Sequence, residues 1–310
     1  MSSITYPTPV ARNGVLSLAQ DYAELFKARV TSLIVMTAWC GFYFGALRSG
    51  ASSLSWGLLH ALLGIGLVAG GTAGLNEVIE HEDDALMRRT ERRPLPAKRM
   101  GMRHATIVTI LATCIGVVYL ALACNLLTGL LALATSAAYL GLYTPLKKIS
   151  PLCTFVGAFP GAMPGVLGWT AARGRLEWEA LVLFAIVFFW QFPHFHSIAW
   201  LYREDYERAQ IRMLPVVHAD GRSTVRAIVL YSLGLIPVSM APTFLHMAGR
   251  IYFIAALLLG IGFLWMGLRL GRMRLAATAP RSKAPARHVL IASVVYLPIL
   301  FAVMMLNPAM

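Results

Sequence analysis

Charged side chains are scarce in this sequence of 310 residues: they make up 13% of it, against 58% for hydrophobic residues. Soluble globular domains contain about 25% charged residues, so the composition excludes a soluble protein with an ordinary water-exposed surface. Acidic residues are the rarer sign, with 14 Asp and Glu against 27 Lys and Arg. The mean hydropathy of +0.66 indicates a protein that exposes most of its surface to lipid.

Cysteine is also rare. The four cysteines, Cys40, Cys114, Cys124 and Cys153, lie within or at the ends of apolar stretches and lack metal-type spacing. This pattern argues against a disulfide framework or a zinc site and favours apolar packing. The first 28 residues have neither a continuous apolar core nor an Arg-rich amphipathic pattern, so no cleaved targeting segment is expected. A bacterial-type inner membrane is the default location.

Long apolar runs, in contrast, are abundant. Windows of about 20 apolar residues, long enough to cross a hydrocarbon core roughly 30 Å thick, can be placed about nine times. They cover residues 30–47, 57–79, 104–123, 125–143, 153–172, 179–200, 225–245, 251–268 and 288–307. Lipid offers no partner for unpaired backbone groups, and the runs lack the alternation of a barrel. The sequence therefore predicts an all-α, polytopic membrane helical bundle that forms a single domain over residues 1–310.

The distribution of basic residues supports this topology. If the N-terminus, with Arg12, is cytoplasmic, 23 of the 27 Lys and Arg lie in cytoplasmic connections, as the positive-inside rule requires. Of the acids, only Glu177 and Glu179 then lie outside. The C-terminus is predicted to be outside. Although the formal net charge is +13, the basic residues are spread along the membrane-flanking connections, which favours attraction to the lipid bilayer over nucleic-acid binding.

The densest polar segment follows the second apolar window and reads NEVIEHEDDALMRRTERRPLP, residues 76–96. On a continuous helix, Asn76, Glu80 and Asp84 would recur at every fourth residue and share one face. Such oxygen groups suit Mg²⁺, which completes its shell with water and substrate phosphates. Because eight helical residues rise about 12 Å, the stripe is expected to serve two ions bridged by a diphosphate. Arg89 and Arg93 could then neutralise the phosphate oxygens.

Solvated ion pairs are the alternative interpretation of this segment. Acids and arginines at four-residue spacing on a helix that emerges into water contribute only a few tenths of a kcal/mol per pair. Depth favours a functional role, because Asn76 and Glu80 lie where the apolar run has barely ended. Ionisable groups near the membrane interior are costly and usually functional.

The same segment carries the pattern N-x-x-x-(D/E)-x-x-x-D-x-x-M-x-R-T-x-x-R-P. It resembles the first acidic motif of the protoheme IX farnesyltransferases, or heme O synthases, a branch of the intramembrane UbiA-type prenyltransferase superfamily. The stretches 143–169 and 190–217 resemble the same branch. The resemblance implies about nine transmembrane helices around a central cavity open near the cytoplasmic face. It also implies Mg²⁺-dependent transfer of a farnesyl group from farnesyl diphosphate to the 2-vinyl group of heme B, with hydration, to give heme O for terminal oxidases.

On this resemblance, the predicted catalytic residues and metal ligands are Asn76, Glu80, Asp84 and Asp205. Glu80 stands where relatives commonly have aspartate. The second Asp-rich motif is reduced to YREDYERA, residues 202–209, and has no acid four residues after Asp205. An ion pair with Arg208 is the alternative role of Asp205. An association with a heme A synthase is a further expectation.

The predicted substrate-binding residues are Arg89, Arg93, Lys147, Arg203, Tyr206 and His194. Lys147 is interpreted either as a phosphate contact or as a membrane anchor. His194, which follows Pro193, is either an axial ligand of the heme iron or a buried histidine satisfied by a neighbour. His196 is expected to turn away. The stretch GAFPGAMPGVLGW, residues 157–169, either permits close helix crossing or breaks the helix beside the substrate.

Other functions stay open at this point. The nearest alternative is an intramembrane prenyltransferase with an aromatic acceptor such as 4-hydroxybenzoate, because nothing in composition or spacing identifies a porphyrin. A secondary transporter is a second alternative, but its site should lie near the bilayer midplane. A non-enzymatic assembly subunit would leave the acidic stripe without a purpose.

Overall fold

The computed structural model describes residues 15–309, which are mostly helical; Arg12 lies outside the described residues. The α-helices are α1 Val15–Leu25, α2 Ala28–Arg48, α3 Trp56–Ile79, α4 His81–Ala85, α5 Met102–Ala123, α6 Leu126–Ala138, α7 Thr144–Leu146, α8 Cys153–Arg173, α9 Trp178–Leu201, α10 Arg203–Arg208, α11 Leu214–Val217, α12 Arg222–Phe244, α13 Arg250–Arg272 and α14 Lys283–Leu306. A π-helical turn, Tyr139–Tyr143, joins α6 to α7, and a 3₁₀ turn, Pro280–Ser282, precedes α14.

The length and composition of these helices identify a multi-pass membrane protein. Within residues 15–309, eight helical stretches are long and apolar enough to cross a membrane. They are α2, α3, α5, the run Leu126–Leu146, α9, α12, α13 and the run Pro280–Leu306. The ninth predicted window, 153–172, forms α8, which is 21 residues long and carries Pro160 and Pro164 in its interior. The prediction of an all-helical membrane bundle is confirmed.

Small residues allow α2 and α8 to cross in backbone contact. A Cβ atom added to Gly41 would lie 1.9 Å from the carbonyl oxygen of Gly165, and one added to Gly168 would lie 1.9 Å from that of Ala38. The glycines of 157–169 therefore permit a close helix crossing, and α8 is a continuous helix through both prolines. Of the two alternatives stated above, close crossing is the one observed.

Small residues also dock α3 onto its neighbours. A Cβ atom on Gly71 would lie 2.4 Å from Thr113 Oγ1 of α5, and one on Gly74 would lie 2.4 Å from Thr109 Cγ2. The helix begins at a cap, where the Ser55 side chain accepts a hydrogen bond from the Leu58 amide. This packing fixes the axial rotation of α3 and hence the direction in which its polar last turns point.

The polar end of α3 differs from one continuous helix. The α-helix ends at Ile79, Glu80 has φ −96° and ψ 11°, and a five-residue helix follows from His81 to Ala85. Two hydrogen bonds, from the Glu80 amide to the Asn76 carbonyl (3.0 Å) and from the Asp84 amide to the Glu80 carbonyl (2.8 Å), preserve the helical spacing. Because α4 ends at Ala85, the arginines that follow lie in turns and not on a helical stripe.

Candidate functional site

Three connections meet at one end of the bundle, and we call residues 76–100, 143–150 and 202–218 together the charged end. The Arg212 amide donates to the Lys147 carbonyl at 2.8 Å, and Arg208 Nε donates to the Leu86 carbonyl at 3.1 Å. Met87 and Tyr206 belong to the same buried apolar cluster. Segments more than 100 residues apart in the sequence are thus in direct contact.

Asn76 occupies the inner part of the charged end. Its side chain is buried, with 2% of its surface exposed. The Asn76 amide oxygen accepts a hydrogen bond from Lys27 Nζ at 2.8 Å, and its amide nitrogen donates to Thr144 Oγ1 at 3.3 Å. Burial, together with the nearby cations Arg93 and Lys147, lowers the pKa of Lys27 to about 8. The amide therefore links the start of α2 to the start of α7.

Glu80 and Lys147 form a bidentate ion pair one turn further out. Lys147 Nζ lies 2.7 and 2.8 Å from the two carboxylate oxygens of Glu80, and it lies 4.6 Å from the centre of the Tyr143 ring. Burial lowers the pKa of Lys147, but the Tyr143 hydroxyl and the Glu80 carboxylate outweigh burial and the pKa is raised overall. Lys147 is therefore buried in the site, and the membrane-anchor interpretation fits Lys148 better, since its side chain is 57% exposed.

Asp84 and Arg93 form the third contact of this series. The Asp84 side chain is 2% exposed, and its Oδ2 accepts a hydrogen bond from Arg93 Nη1 at 2.6 Å. The hydroxyl of Thr90 donates to the Asp84 carbonyl at 2.9 Å, which closes the turn that carries Arg93 back to α4. The turn, not a helical stripe, brings this arginine to the acid.

Asp205 faces the same turn from the other side of the charged end. It pairs with Arg208, as the alternative role predicted, and its Oδ2 also accepts a hydrogen bond from the Arg89 amide at 3.3 Å. The Arg89 guanidinium donates to the Tyr206 hydroxyl at 3.3 Å and lies 5.2 Å from the centre of the Tyr202 ring. Asp205, Arg89 and Tyr206 are therefore in contact at one place in the charged end.

Arg203 makes its contacts elsewhere. Its guanidinium donates a hydrogen bond to a carboxylate oxygen of Glu207 at 3.0 Å and another to the Pro215 carbonyl at 3.1 Å. These contacts hold α10 against α11, which favours a structural role over the predicted contact with substrate. Glu204 pairs with Lys283 at 2.9 Å, so α10 is also held to α14.

His194 lies on α9, and its side-chain hydrogen bond and ring stacking are with residues of α14 and α9. Its Nδ1 is hydrogen-bonded to Ser293 Oγ of α14 at 2.8 Å, and its ring stacks on Trp190 with the ring centres 4.6 Å apart. Trp190 Nε1 donates to the Ser293 carbonyl at 2.8 Å. These contacts fix Nδ1 and one face of the His194 ring. His196, two residues further along α9, is buried.

The four predicted metal ligands offer oxygen atoms to a cation. They supply three carboxylates and one amide oxygen, which are the oxygen ligands that Mg²⁺ prefers. Among the described residues, no three His, Cys, Asp or Glu side chains are grouped so as to hold a metal ion by themselves. Each predicted ligand instead contacts its own basic side chain. The residues fit Mg²⁺ that completes its shell with phosphate oxygens, and not an all-protein cage.

The similarity to known proteins agrees with this geometry. The model of the UbiA prenyltransferase family matches residues 34–294. The chain belongs to the UbiA prenyltransferase family. Protoheme IX farnesyltransferase of Koribacter versatilis is 62% identical, over 99% of both chains. That of Solibacter usitatus is 48% identical, over 93% of this chain and 98% of the relative.

Solved structures share the UbiA fold at low sequence identity. Digeranylgeranylglyceryl phosphate synthase superposes with a TM-score of 0.74 at 17% identity, over 94% of this chain and 98% of the other. A UbiA homolog from Archaeoglobus fulgidus bound to GPP and Mg²⁺ superposes with a TM-score of 0.65 at 17% identity, over 92% and 99% of the two chains. At such identities the likeness concerns the fold alone.

Two residues of this UbiA-family site were missed by the sequence analysis. Lys27 entered the sequence analysis only as one of the 23 basic residues assigned to cytoplasmic connections, although it lies three residues before the apolar window that starts at residue 30. Glu77 is fully buried, and its two carboxylate oxygens accept no hydrogen bond within the described part of the chain. The available signal was the same for both: an ionisable residue at the edge of an apolar window is costly unless it has a role.

Proposed function

We propose that this protein transfers a farnesyl group from farnesyl diphosphate to the 2-vinyl group of heme B, with hydration, and releases heme O and diphosphate. The full-length similarity to the protoheme IX farnesyltransferases of two bacteria supports this function. The structural observation that carries the proposal is the meeting of two acidic segments, around Asp84 and Asp205, with buried cations at one end of an apolar bundle. A site there can ionise a diphosphate while the prenyl chain stays in an apolar environment.

The proposed mechanism assigns the charged end to the leaving group. When bound, Mg²⁺ would stabilise the negative charge that develops on the departing diphosphate. Asn76, Glu80, Asp84 and Asp205 would hold it through their oxygen atoms. Lys147 is paired with Glu80, and Arg93 is paired with Asp84. Both cations would donate hydrogen bonds to phosphate oxygens as the negative charge on the diphosphate grows, because charge-assisted hydrogen bonds strengthen with the developing charge.

The remaining steps concern the prenyl carbon and the acceptor. The bond between the prenyl C1 and the diphosphate oxygen breaks, and both electrons leave with the oxygen. The electron pair of the vinyl group then forms the new carbon–carbon bond, which leaves a cation on the carbon next to the porphyrin. Water adds to this cation and loses a proton, which gives the hydroxyl group. No nucleophilic side chain is needed for this sequence of steps.

The proposed location is the bacterial inner membrane, with the N-terminus and the charged end in the cytoplasm and the C-terminus outside. The excess of basic residues in the connections of the charged end supports this orientation. A single prenyltransferase domain over residues 1–310 and an association with a heme A synthase belong to the same proposal. The charged end lies at one end of the bundle, whereas a transporter site is expected at the midplane.

The activity assay tests the proposal directly. The full-length protein in lipid nanodiscs is incubated with heme B, farnesyl diphosphate and Mg²⁺, and the porphyrin is analysed by mass spectrometry. We expect the mass of heme B plus one farnesyl group and one hydroxyl group, and we expect its loss when EDTA removes divalent cations. Unchanged heme together with prenylated 4-hydroxybenzoate in a parallel incubation would support the aromatic-acceptor enzyme instead.

His194 is proposed to bind the heme iron through Nε2. The hydrogen bond between Nδ1 and Ser293 Oγ and the stacking on Trp190 fix the ring orientation, as a hydrogen bond to the other ring nitrogen does for metal-ligating histidines. We expect His194→Ala to weaken heme B binding by about 10-fold or more, and Ser293→Ala to weaken it less. Both variants should change the Soret spectrum of the bound heme.

The control for this prediction is His218→Ala, which removes an exposed histidine of the charged end. It should leave the heme spectrum and the heme affinity unchanged. If His194→Ala has the wild-type spectrum and affinity, the axial-ligand proposal is wrong, and the hydrogen bond to Ser293 is the role of this histidine.

A further inference from the structure

The turn between α1 and α2 carries a lysine into the charged end. Lys27 has φ 46° and ψ 50°, a left-handed conformation that residues with a side chain rarely adopt. Backbone hydrogen bonds from Lys27 to the Glu24 carbonyl (2.9 Å) and from Val30 to the Lys27 carbonyl (2.8 Å) close the turn on both sides. Such a conformation persists only where the surrounding structure determines it.

The surroundings that determine it are the small residues of α3. A Cβ atom on Gly70 would lie 3.0 Å from Phe26 Cδ1, and one on Gly74 would lie 3.3 Å from the Leu25 carbonyl oxygen. Leu25 is fully buried in a cluster with Leu95. Because no side chain of α3 separates the turn from the helix, Lys27 Nζ comes within 2.8 Å of Asn76 Oδ1.

The partner of Lys27 differs in kind from the partners of Lys147 and Arg93. Lys147 is paired with the Glu80 carboxylate, and Arg93 is paired with the Asp84 carboxylate. Lys27 donates to an amide oxygen, which carries no formal charge and leaves the ammonium unneutralised by that contact. A partly buried cation in this situation is suited to receive an anionic ligand.

We infer that Lys27 is a further substrate-binding residue, which holds Asn76 Oδ1 until the prenyl donor arrives and then contacts the diphosphate. The inference rests on the proposed function. An ammonium group and a divalent cation repel each other strongly at the distance that a shared amide oxygen would impose. Coordination by Asn76 therefore requires Lys27 Nζ to leave, and its flexible four-carbon stem allows the ammonium to turn to a phosphate oxygen.

The inference is tested by ligand binding, which is measured independently of turnover. Isothermal titration of the full-length protein in nanodiscs gives Kd for inorganic pyrophosphate and for the unreactive farnesyl S-thiolodiphosphate, each with Mg²⁺. We expect Lys27→Met, which keeps the apolar stem, to weaken the binding of both ligands by about 10- to 100-fold, the loss that one charge-assisted hydrogen bond explains. Lys27→Arg should restore part of the affinity.

A second readout separates substrate binding from a structural role. Without diphosphate, the affinity for Mn²⁺, measured by electron paramagnetic resonance, should be unchanged or higher in Lys27→Met, because the ammonium no longer competes for Asn76. Parallel losses of Mn²⁺ affinity, diphosphate affinity and thermal stability would instead indicate a structural lysine and overturn the inference. Arg29→Met is the matched control: it removes an exposed cation at the same end of α2 and should change neither affinity.

The two levels of the proposal fail in different ways. If the wild-type protein binds the ligands and Lys27→Met binds them equally well, only the role of Lys27 is refuted. If the wild-type protein binds neither pyrophosphate nor the farnesyl analogue, the proposed function is refuted and the role of Lys27 with it.

Discussion

Glu80→Gln is expected to reduce the rate of farnesyl transfer by about 10³-fold, the upper range for loss of one preorganised electrostatic contact. Glutamine keeps the length of the side chain and one of its two oxygen atoms but removes the charge that pairs with Lys147 at 2.7 Å. The variant would lack an anionic oxygen for Mg²⁺ and would leave a buried ammonium without its counter-ion. Steady-state assays with heme B and farnesyl diphosphate measure this loss.

Asp83→Asn is the matched control for this substitution. Asp83 is three residues along the chain, and its side chain is 14% exposed. Its ion pair is with Lys148, whose side chain is 57% exposed. Because water reaches the cation of this pair, the pair should contribute about 0–1 kcal/mol, as surface pairs do, and the variant should retain nearly full activity. Equal activity in Glu80→Gln and wild type would contradict the assignment of Glu80 to the catalytic site.

The double variant Glu80→Gln/Lys147→Met distinguishes two origins of the loss. If Glu80 serves only to neutralise Lys147, removing both charges should restore activity. If the carboxylate and the ammonium act on the metal ion and the diphosphate, the double variant should be at least as impaired as the single variant. We expect the second result.

Gly168→Ala is expected to lower the free energy of unfolding by about 3 kcal/mol, at the upper end of the usual range for overpacking. The new Cβ atom would lie 1.9 Å from the carbonyl oxygen of Ala38 and 2.8 Å from the Phe42 amide nitrogen. Because both neighbours are backbone atoms, no side-chain rotation can relieve the clash, and α8 must move away from α2. Unfolding in mixed micelles, followed by circular dichroism, gives the change.

Gly41→Ala places a Cβ atom on the opposite side of the same crossing, 1.9 Å from the carbonyl oxygen of Gly165, and should destabilise the protein to a similar degree. Gly262→Ala in α13 is the control, because its Cβ atom would meet no atom within 4 Å apart from the nearby backbone of its own helix. It should be neutral or up to about 1 kcal/mol more stable, the difference in helix propensity between the residues. Wild-type stability in Gly168→Ala would show that the crossing can widen without cost.

The membrane bundle was predictable because hydropathy is a property of consecutive residues. Each apolar window is recognisable without knowledge of its neighbours. The concentration of basic residues in every second connection, on the cytoplasmic side, provides an independent check. Hydropathy is less informative for the window at 153–172, because the stretch 157–169 is compatible both with a close helix crossing and with a break in the helix. The contact of Gly168 with Ala38, which no local pattern contains, decided between them.

The candidate site was predictable in part for the same reason. The spacing of Asn76, Glu80 and Asp84 is local, and it is preserved although α3 ends at Ile79. The turn that returns Arg93 to Asp84 was not predicted, since nothing in the segment alone marked the end of α4 at Ala85. The sequence analysis predicts that Arg203 binds substrate because it lies close to Asp205 in the motif. In the structure, its guanidinium is hydrogen-bonded to Glu207 and to the Pro215 carbonyl.

Hydropathy and periodicity along the chain are enough to predict which segments enter the membrane and which oxygen-bearing residues share a helical face. The pairing of each cation with an oxygen atom is fixed only when the helices pack. Lys27 reaches Asn76 across 49 residues and Lys147 reaches Glu80 across 67. These pairings depend on how closely the helices approach each other. The approach depends on glycines such as Gly70 and Gly74 and on the left-handed turn at Lys27, and neither effect is visible until the helices are packed together.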